Sequence, residues 1–214
     1  MKSGFRGVWQ TPTLRKLVAA RFISNLGNGL GPIAIPFGVL GLPHGTPTAL
    51  SLVWLSTMLP LTGFMLIGGV IGDNFPRAQM VGGTDILLGL LVLGNGLALI
   101  AGHGSVLLFI FVGAISGFLN AIWYPSMGAL TTDLADEKIL QESNSAIGLA
   151  SNVALIIGSS IGGVLVATLG AGWAIALDGL TFLTAGLIVF SLRKYTPVAK
   201  PTSESTFRMI RRPP

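Results

Sequence analysis

GGVIGDNFPRAQM, residues 68–80, is a glycine-rich apolar run that stops at Asp73, crosses a short turn holding Pro76, and turns apolar again after Arg77. One acid and one base in so short a turn, between two long apolar segments, is what a hairpin of two membrane spans would leave in water. The rest of the chain agrees. Of its 214 residues 51% are hydrophobic and only 10% charged, against roughly 25% charged in a soluble domain, and the mean hydropathy is +0.76. With no cysteine there is no disulfide framework and no thiolate or cysteine-ligated metal chemistry. The net charge of +5 does not describe a nucleic-acid surface, because the bases punctuate apolar runs instead of clustering.

A membrane-crossing helix needs about 20 mostly apolar residues. Six stretches meet this, roughly 17–41, 48–71, 79–101, 105–124, 145–169 and 172–192. The expected fold is an all-α membrane protein whose six transmembrane helices occupy residues 17–193, after a segment 1–16 and before a basic, mobile tail 194–214. The first span starts too late and runs too long for a removable signal peptide. All 13 Lys and Arg fall on one side of the predicted spans, so both termini are expected in the cytoplasm and the protein in the plasma (inner) membrane. Trp9, Trp123 with Tyr124, Trp173 and Tyr195 fall near predicted interfaces, where amphipathic rings settle, and Trp54 is the exception. Leu134, Ile139 and Leu140 among acids predict a short amphipathic surface helix near 130–142.

Gly27/Gly31, Gly68/Gly72, Gly113/Gly117 and Gly158/Gly162 each put two missing side chains on one helix face, the spacing that lets backbones approach in lipid. Pro32, Pro36 and Pro60 each remove a backbone donor inside a span, so these helices either pack with kinks or bend during a cycle. GGVIGD at 68–73 is echoed by GGVLVA at 162–167, and Asp85 and Asp178 follow at similar distances. Spans 1–3 and 4–6 then read as two inverted three-helix repeats.

Ser160 in GSSIG (158–162) fits the G-x-S-x-G pattern of a nucleophile. Its base would have to be His44 or His103, and both lie in outer loops, so Ser160 reads as a packing residue and no enzyme is expected. No metal-ligand cluster, phosphate loop or cofactor motif appears either. Buried charge is more informative. Arg21 and Asp85 sit at similar depth on the basic side and are expected to pair, the alternative for Asp85 being a coupling role. Asp178 lies about six residues into span 6 from the other side. Asn25, Asn28, Asn95, Asn120 and Asn152, with Ser24 and Thr181, either stitch helices or line a shared polar cavity.

These residues carry a family likeness. GGVIGDNFPR resembles motif A of the major facilitator superfamily, G-x-x-x-D-R/K-x-G-R-R/K between spans 2 and 3: Gly69, Asp73 and Arg77 match, while Asn74, Pro76 and Ala78 depart. A proline before the arginine is similar to the macrolide-efflux-like branch of drug:proton antiporters, as is the layout of ARFISNLGN (20–28). Span 5 resembles the antiporter motif G-P-x-x-G-G through Gly158, Gly162 and Gly163, with Ser159 in place of the proline. The resemblance implies the N-terminal six-helix half of a secondary transporter that exports a small amphipathic molecule by alternating access. It also implies that Asp73 and Arg77 help latch two halves together. Asn28 stands where many relatives carry an acid and span 4 has no arginine, which leaves Asp178 as the candidate for coupling. The implied partners are the lipid bilayer, a small-molecule substrate, and a second six-helix half or a second copy of the chain. The alternative is a truncated or regulatory half that associates with another transporter without transporting by itself.

Overall fold

Each of the six apolar stretches forms one long helix. The computed structural model describes residues 5–73 and 75–196, with the side chains at 5 and 69–73 outside the described part. It contains α1 (Phe5–Gln10), α2 (Pro12–Leu40), α3 (Pro47–Asp73), α4 (Arg77–Ile100), α5 (Val106–Leu134), α6 (Leu140–Thr168) and α7 (Ala171–Phe190), with 3₁₀ turns at Glu137–Ile139 and Ser191–Tyr195. No strand occurs among the described residues. Five helices, α3 to α7, are long and apolar enough to cross a membrane. The sixth, α2, has 29 residues, ample length for a crossing, but its asparagines, glycines and prolines dilute its apolar side chains. Its assignment as a span rests on length and on its place inside the bundle.

Two sequence expectations change. Residues 5–16 are not a separate segment: they form α1 and the first turn of α2, with Val8 and Leu14 fully buried against Ala146 and its neighbours. The surface helix near 130–142 does not form as a unit. Instead α5 runs on to Leu134 and α6 starts at Leu140, so both helices project beyond their predicted spans. Of the tail, Ser191–Tyr195 is a 3₁₀ turn and 197–214 lie outside the described residues.

The connections are tight, so successive long helices run antiparallel. Gly102 (φ 75°) and Gly170 (φ 93°) hold left-handed positions in the α4–α5 and α6–α7 turns, which other residues adopt only with strain. Ser105 caps α5 by accepting a hydrogen bond from the Leu108 N–H at 3.1 Å. The principal packings are α4 on α7, α3 on α5, α2 on α6, α2 on α7 and α4 on α5. Exchanging α2 with α5, α3 with α6 and α4 with α7 maps this set onto itself. Each unit of three antiparallel helices has an odd number of crossings, so the two units point in opposite directions, and the inverted repeat is present in the packing.

The α4–α7 contact at the centre of this symmetry is made by glycines seven residues apart on both helices. Gly82, Gly89 and Gly96 face Gly186, Gly179 and Gly172. A Cβ on Gly89 would lie 2.8 Å from the Gly179 carbonyl oxygen, and one on Gly82 or Gly96 2.9 Å from that of Gly186 or Gly172. Backbone therefore meets backbone along the whole seam, which maximises dispersion contact where lipid offers no hydrophobic drive. The predicted four-residue glycine pairs do similar work elsewhere: Gly158 and Gly162 meet Leu26 and Leu30 of α2, and Gly113 and Gly117 meet Thr57 and its neighbours on α3. Gly72 lies outside the described side chains. Outward-facing surface is concentrated on α3 and α6, which the symmetry relates: only 6% and 17% of their apolar stretches are buried, against 44% for α5 and α7.

Candidate functional site

Within the bundle lies a cavity of about 240 Å³, walled by α2, α3, α4, α5 and α7. Its polar lining comes from Asn28 on α2, Thr57 on α3, Asn95 on α4, Ser116 and Asn120 on α5, and Asp178 on α7. Trp54, the aromatic that sequence left away from any interface, lines it as well. The helix contacts explain why these groups converge. Gly27 and Gly31 remove two side chains from α2 where it meets α7, and the Asp178 carboxyl occupies that space, with Oδ2 3.7 Å from where a Gly31 Cβ would stand. The glycine seam fixes α4 against α7 so that Gly96 faces Gly172 and Ala176, which sets Asn95 level with Asp178.

Apart from His44 and His103 in the end loops, Asp178 is the sole acid or base in its half of the bundle among the described residues. Every described Lys and Arg sits near the start of α2, the start of α4, the α5–α6 turn or the end of α7, together with all the other described acids. That end is the basic end. Asp178 lies about 10 Å along α7 from the opposite end. It is 7% exposed, and its Oδ1 has no hydrogen-bond partner. The same is true of Asn95, 5% exposed with an unpartnered Oδ1. Buried acceptors are normally satisfied, and a charged one left alone costs several kcal/mol.

The five asparagines separate into two groups. Asn28, Asn95 and Asn120 reach the cavity, and Asn120 Nδ2 donates to its own helix at Ser116 O, 2.9 Å away. Asn25 instead stitches α2 to α6, donating to Arg21 O at 2.8 Å and to Ser151 Oγ at 3.1 Å. Asn152 is exposed on α6 and donates to Gly148 O at 2.9 Å. Thr181, beside the carboxyl, donates to Asp178 O at 2.7 Å.

Arg21 and Asp85 come together at the basic end, on α2 and α4, 8% and 2% exposed. They attract one another electrostatically but do not close the expected ion pair; the Arg21 guanidinium stacks on Trp123 of α5, 4.5 Å from its centroid. The single ion pair among the described residues was not foreseen: Arg77 Nη1 donates to Asp133 Oδ1 at 2.6 Å, tying the start of α4 to the end of α5. The signal for Asp133 was its place in TTDLADE, an acid at a span boundary facing the turn that carries Arg77. Gly69 and Asp73 fall in the part of α3 whose side chains lie outside the described residues. In the span 5 motif, Gly158 and Gly162 are packing positions, Ser159 Oγ donates to Leu155 O at 2.9 Å, and Gly163 faces open space. Ser160 Oγ donates to Ile156 O at 3.0 Å. No cluster of metal-ligating side chains occurs among the described residues.

An inverted-repeat bundle with a polar cavity where its units meet defines a transporter-type membrane protein. Residues 17–214 match the family model of the Major Facilitator Superfamily, and the chain belongs to that superfamily. Curated relatives include the enterobactin exporter EntS of Shigella flexneri, 28% identical over 191 residues, covering 89% of this chain and 46% of the relative. The enterobactin exporters EntS of Citrobacter koseri and Escherichia coli O1:K1 / APEC are also 28% identical over 191 residues, covering 89% of this chain and 45% of theirs. The chain therefore spans less than half the length of these relatives. No solved structure matches it.

Proposed function

We propose that this chain is the N-terminal half of a secondary transporter that exports a small amphipathic molecule by alternating access, with the cavity as its share of the substrate path. The observation that carries the reading is the position of the cavity. Its polar groups come from both three-helix units, so helices of either unit pivoting on the α4–α7 seam change the site. Similarity to exporters along 89% of the chain supports efflux as the direction. The transmembrane path is completed by a second six-helix half. The one-sided basic residues support an inner-membrane protein with both termini in the cytoplasm. In this reading Arg77 and Asp133 hold the α4–α5 junction on the cytoplasmic face, and Asp73 completes the latch across the halves.

The alternative reading is a truncated or regulatory half that associates with another transporter half and moves nothing itself. Purification in detergent with mass measurement, followed by proton-driven efflux from liposomes, separates the two. Flux from a dimer or a two-chain complex supports the transporter. A strict monomer without flux removes it in favour of the regulatory half.

A further inference from the structure

We infer that the groove between α1, α2 and α6 at the basic end of the bundle holds one anionic phospholipid, its phosphate against Arg15 and one acyl chain along the helix walls. The groove encloses about 610 Å³. Trp9 and Arg15 line its outer end, with Val18 and Phe22 of α2 and Leu149 and Val153 of α6 further in. Arg15 is the one charged side chain on this wall, and apart from it and the Trp9 indole every lining side chain is hydrocarbon. The groove shares no lining residue with the central cavity, and its ligand is independent of whether the chain transports.

The depth of the groove matches a lipid's. The 29 residues of α2 span about 43 Å, close to the roughly 40–45 Å of a bilayer with its headgroup layers. Arg15, in the first turn of α2, therefore stands at headgroup level, and Phe22 lies about 10 Å deeper, among the acyl chains. Trp9, 53% exposed at the same end, is the kind of amphipathic ring that settles at this boundary. Beyond Val153 the two helices close on each other, Leu26 against Gly158 and Leu30 against Gly162. The groove therefore grips the part of a chain nearest its headgroup. Charge selects the headgroup. Within one helical turn of the lining residues stand Arg6, Lys16, Arg21 and Glu142. Arg21 is stacked on Trp123 of α5, away from the groove, so with Arg15 the mouth carries three bases to one acid. No Asp or Glu occurs in the first 72 residues, and the single ion pair among the described residues, Arg77 with Asp133, does not involve Arg15. A guanidinium fork matches two phosphate oxygens, and basic pockets between membrane helices bind anionic headgroups. A zwitterionic headgroup offers the same phosphate but brings a cation to a mouth already in excess of bases. A protein partner seated here would have to cover an unpaired guanidinium in the headgroup layer, whereas a phosphate answers both the charge and the depth.

The test is native mass spectrometry of the full chain, released from detergent micelles doped with equal amounts of phosphatidylglycerol and phosphatidylcholine of identical acyl chains. One phosphatidylglycerol per chain is expected to be retained, at least about tenfold tighter than phosphatidylcholine, as two surplus bases at the mouth imply. Arg15→Gln is expected to lose most of that preference. Ala19→Trp, which fills the groove without touching its charge, is expected to lose both lipids. Arg193→Gln, a base at the same end but outside the groove, is expected to leave retention intact. Equal retention of the two lipids by the unmodified chain overturns the inference, and this comparison decides even if a variant fails to fold. An undiminished preference in Arg15→Gln also overturns it. Binding of water-soluble glycerophosphoglycerol as strong as that of the whole lipid overturns it by making the groove a phosphate site. A lipid-free dimer of the unmodified chain that Ala19→Trp dissociates overturns it in favour of a second copy in the groove.

Discussion

Neighbouring residues on α7, Asp178 and Gly179, point about 100° apart and meet two different helices. On the Gly179 side, both α7 and α4 have shed their side chains, and backbone lies on backbone from Gly82 to Gly96. On the Asp178 side, only α2 has shed them, at Gly27 and Gly31, and α7 fills the gap with a carboxyl group. Both contacts bring helices close in lipid. The first leaves no space and no polarity between them, and the second leaves both. A helix can thus be fixed along one face and present chemistry on the next, using adjacent positions.

The comparison breaks most visibly at the seam. Gly89→Val would place a Cβ 2.7 Å from the Leu183 backbone nitrogen, and neither backbone can yield without separating the helices. The expected cost is about 3 kcal/mol, read as loss of the monodisperse peak in fluorescence-detected size exclusion. A melting temperature within error of the parent would contradict the rigid seam. Next comes the contrast between the two buried acids. Arg21→Met removes the base near Asp85 and should cost about 2 kcal/mol; adding Asp85→Asn should restore part of it. A double variant no more stable than the single would show that the pair does not interact. For Asp178 the sign reverses. With no base to lose, Asp178→Asn in the ligand-free protein should be neutral or stabilising by up to about 1 kcal/mol, seen as an unchanged or raised melting temperature. The partly exposed Arg77–Asp133 pair ranks lower: Asp133→Asn should cost about 0.5 kcal/mol and less at high salt. Gly163→Ala, with nothing within 4 Å of the new Cβ, should leave the melt unchanged.

The hydropathy pattern carried the fold, because each span must satisfy its own backbone and therefore forms one helix wherever the apolar run is long enough. It was weakest at α2, where asparagines, glycines and prolines that serve the interior lower the apolarity. The inverted repeat was readable only as the faint echo of GGVIGD in GGVLVA. The stronger trace is glycine every seven residues in both α4 and α7, a spacing outside the four-residue rule for small-residue contacts. Among the site residues, sequence could name Asp178 and five asparagines but could not sort them. Asn25 and Asn28 are three residues apart on α2, and which one sees α6 and which the cavity depends on where the neighbours stand. Asp133 was hidden by reading its segment as a surface helix, when α5 carries it beyond the span to meet Arg77.

The seven-residue glycine seam also has a mechanical consequence. Two helices in continuous backbone contact, with no side chains to shear past one another, bend and translate as one beam. If the cavity changes shape during a cycle, the displacement has to come from α2, α3, α5 and α6 pivoting on that beam. The α4–α7 pair would then be the fixed frame of reference, and distance probes anchored on it would read the motion of everything else.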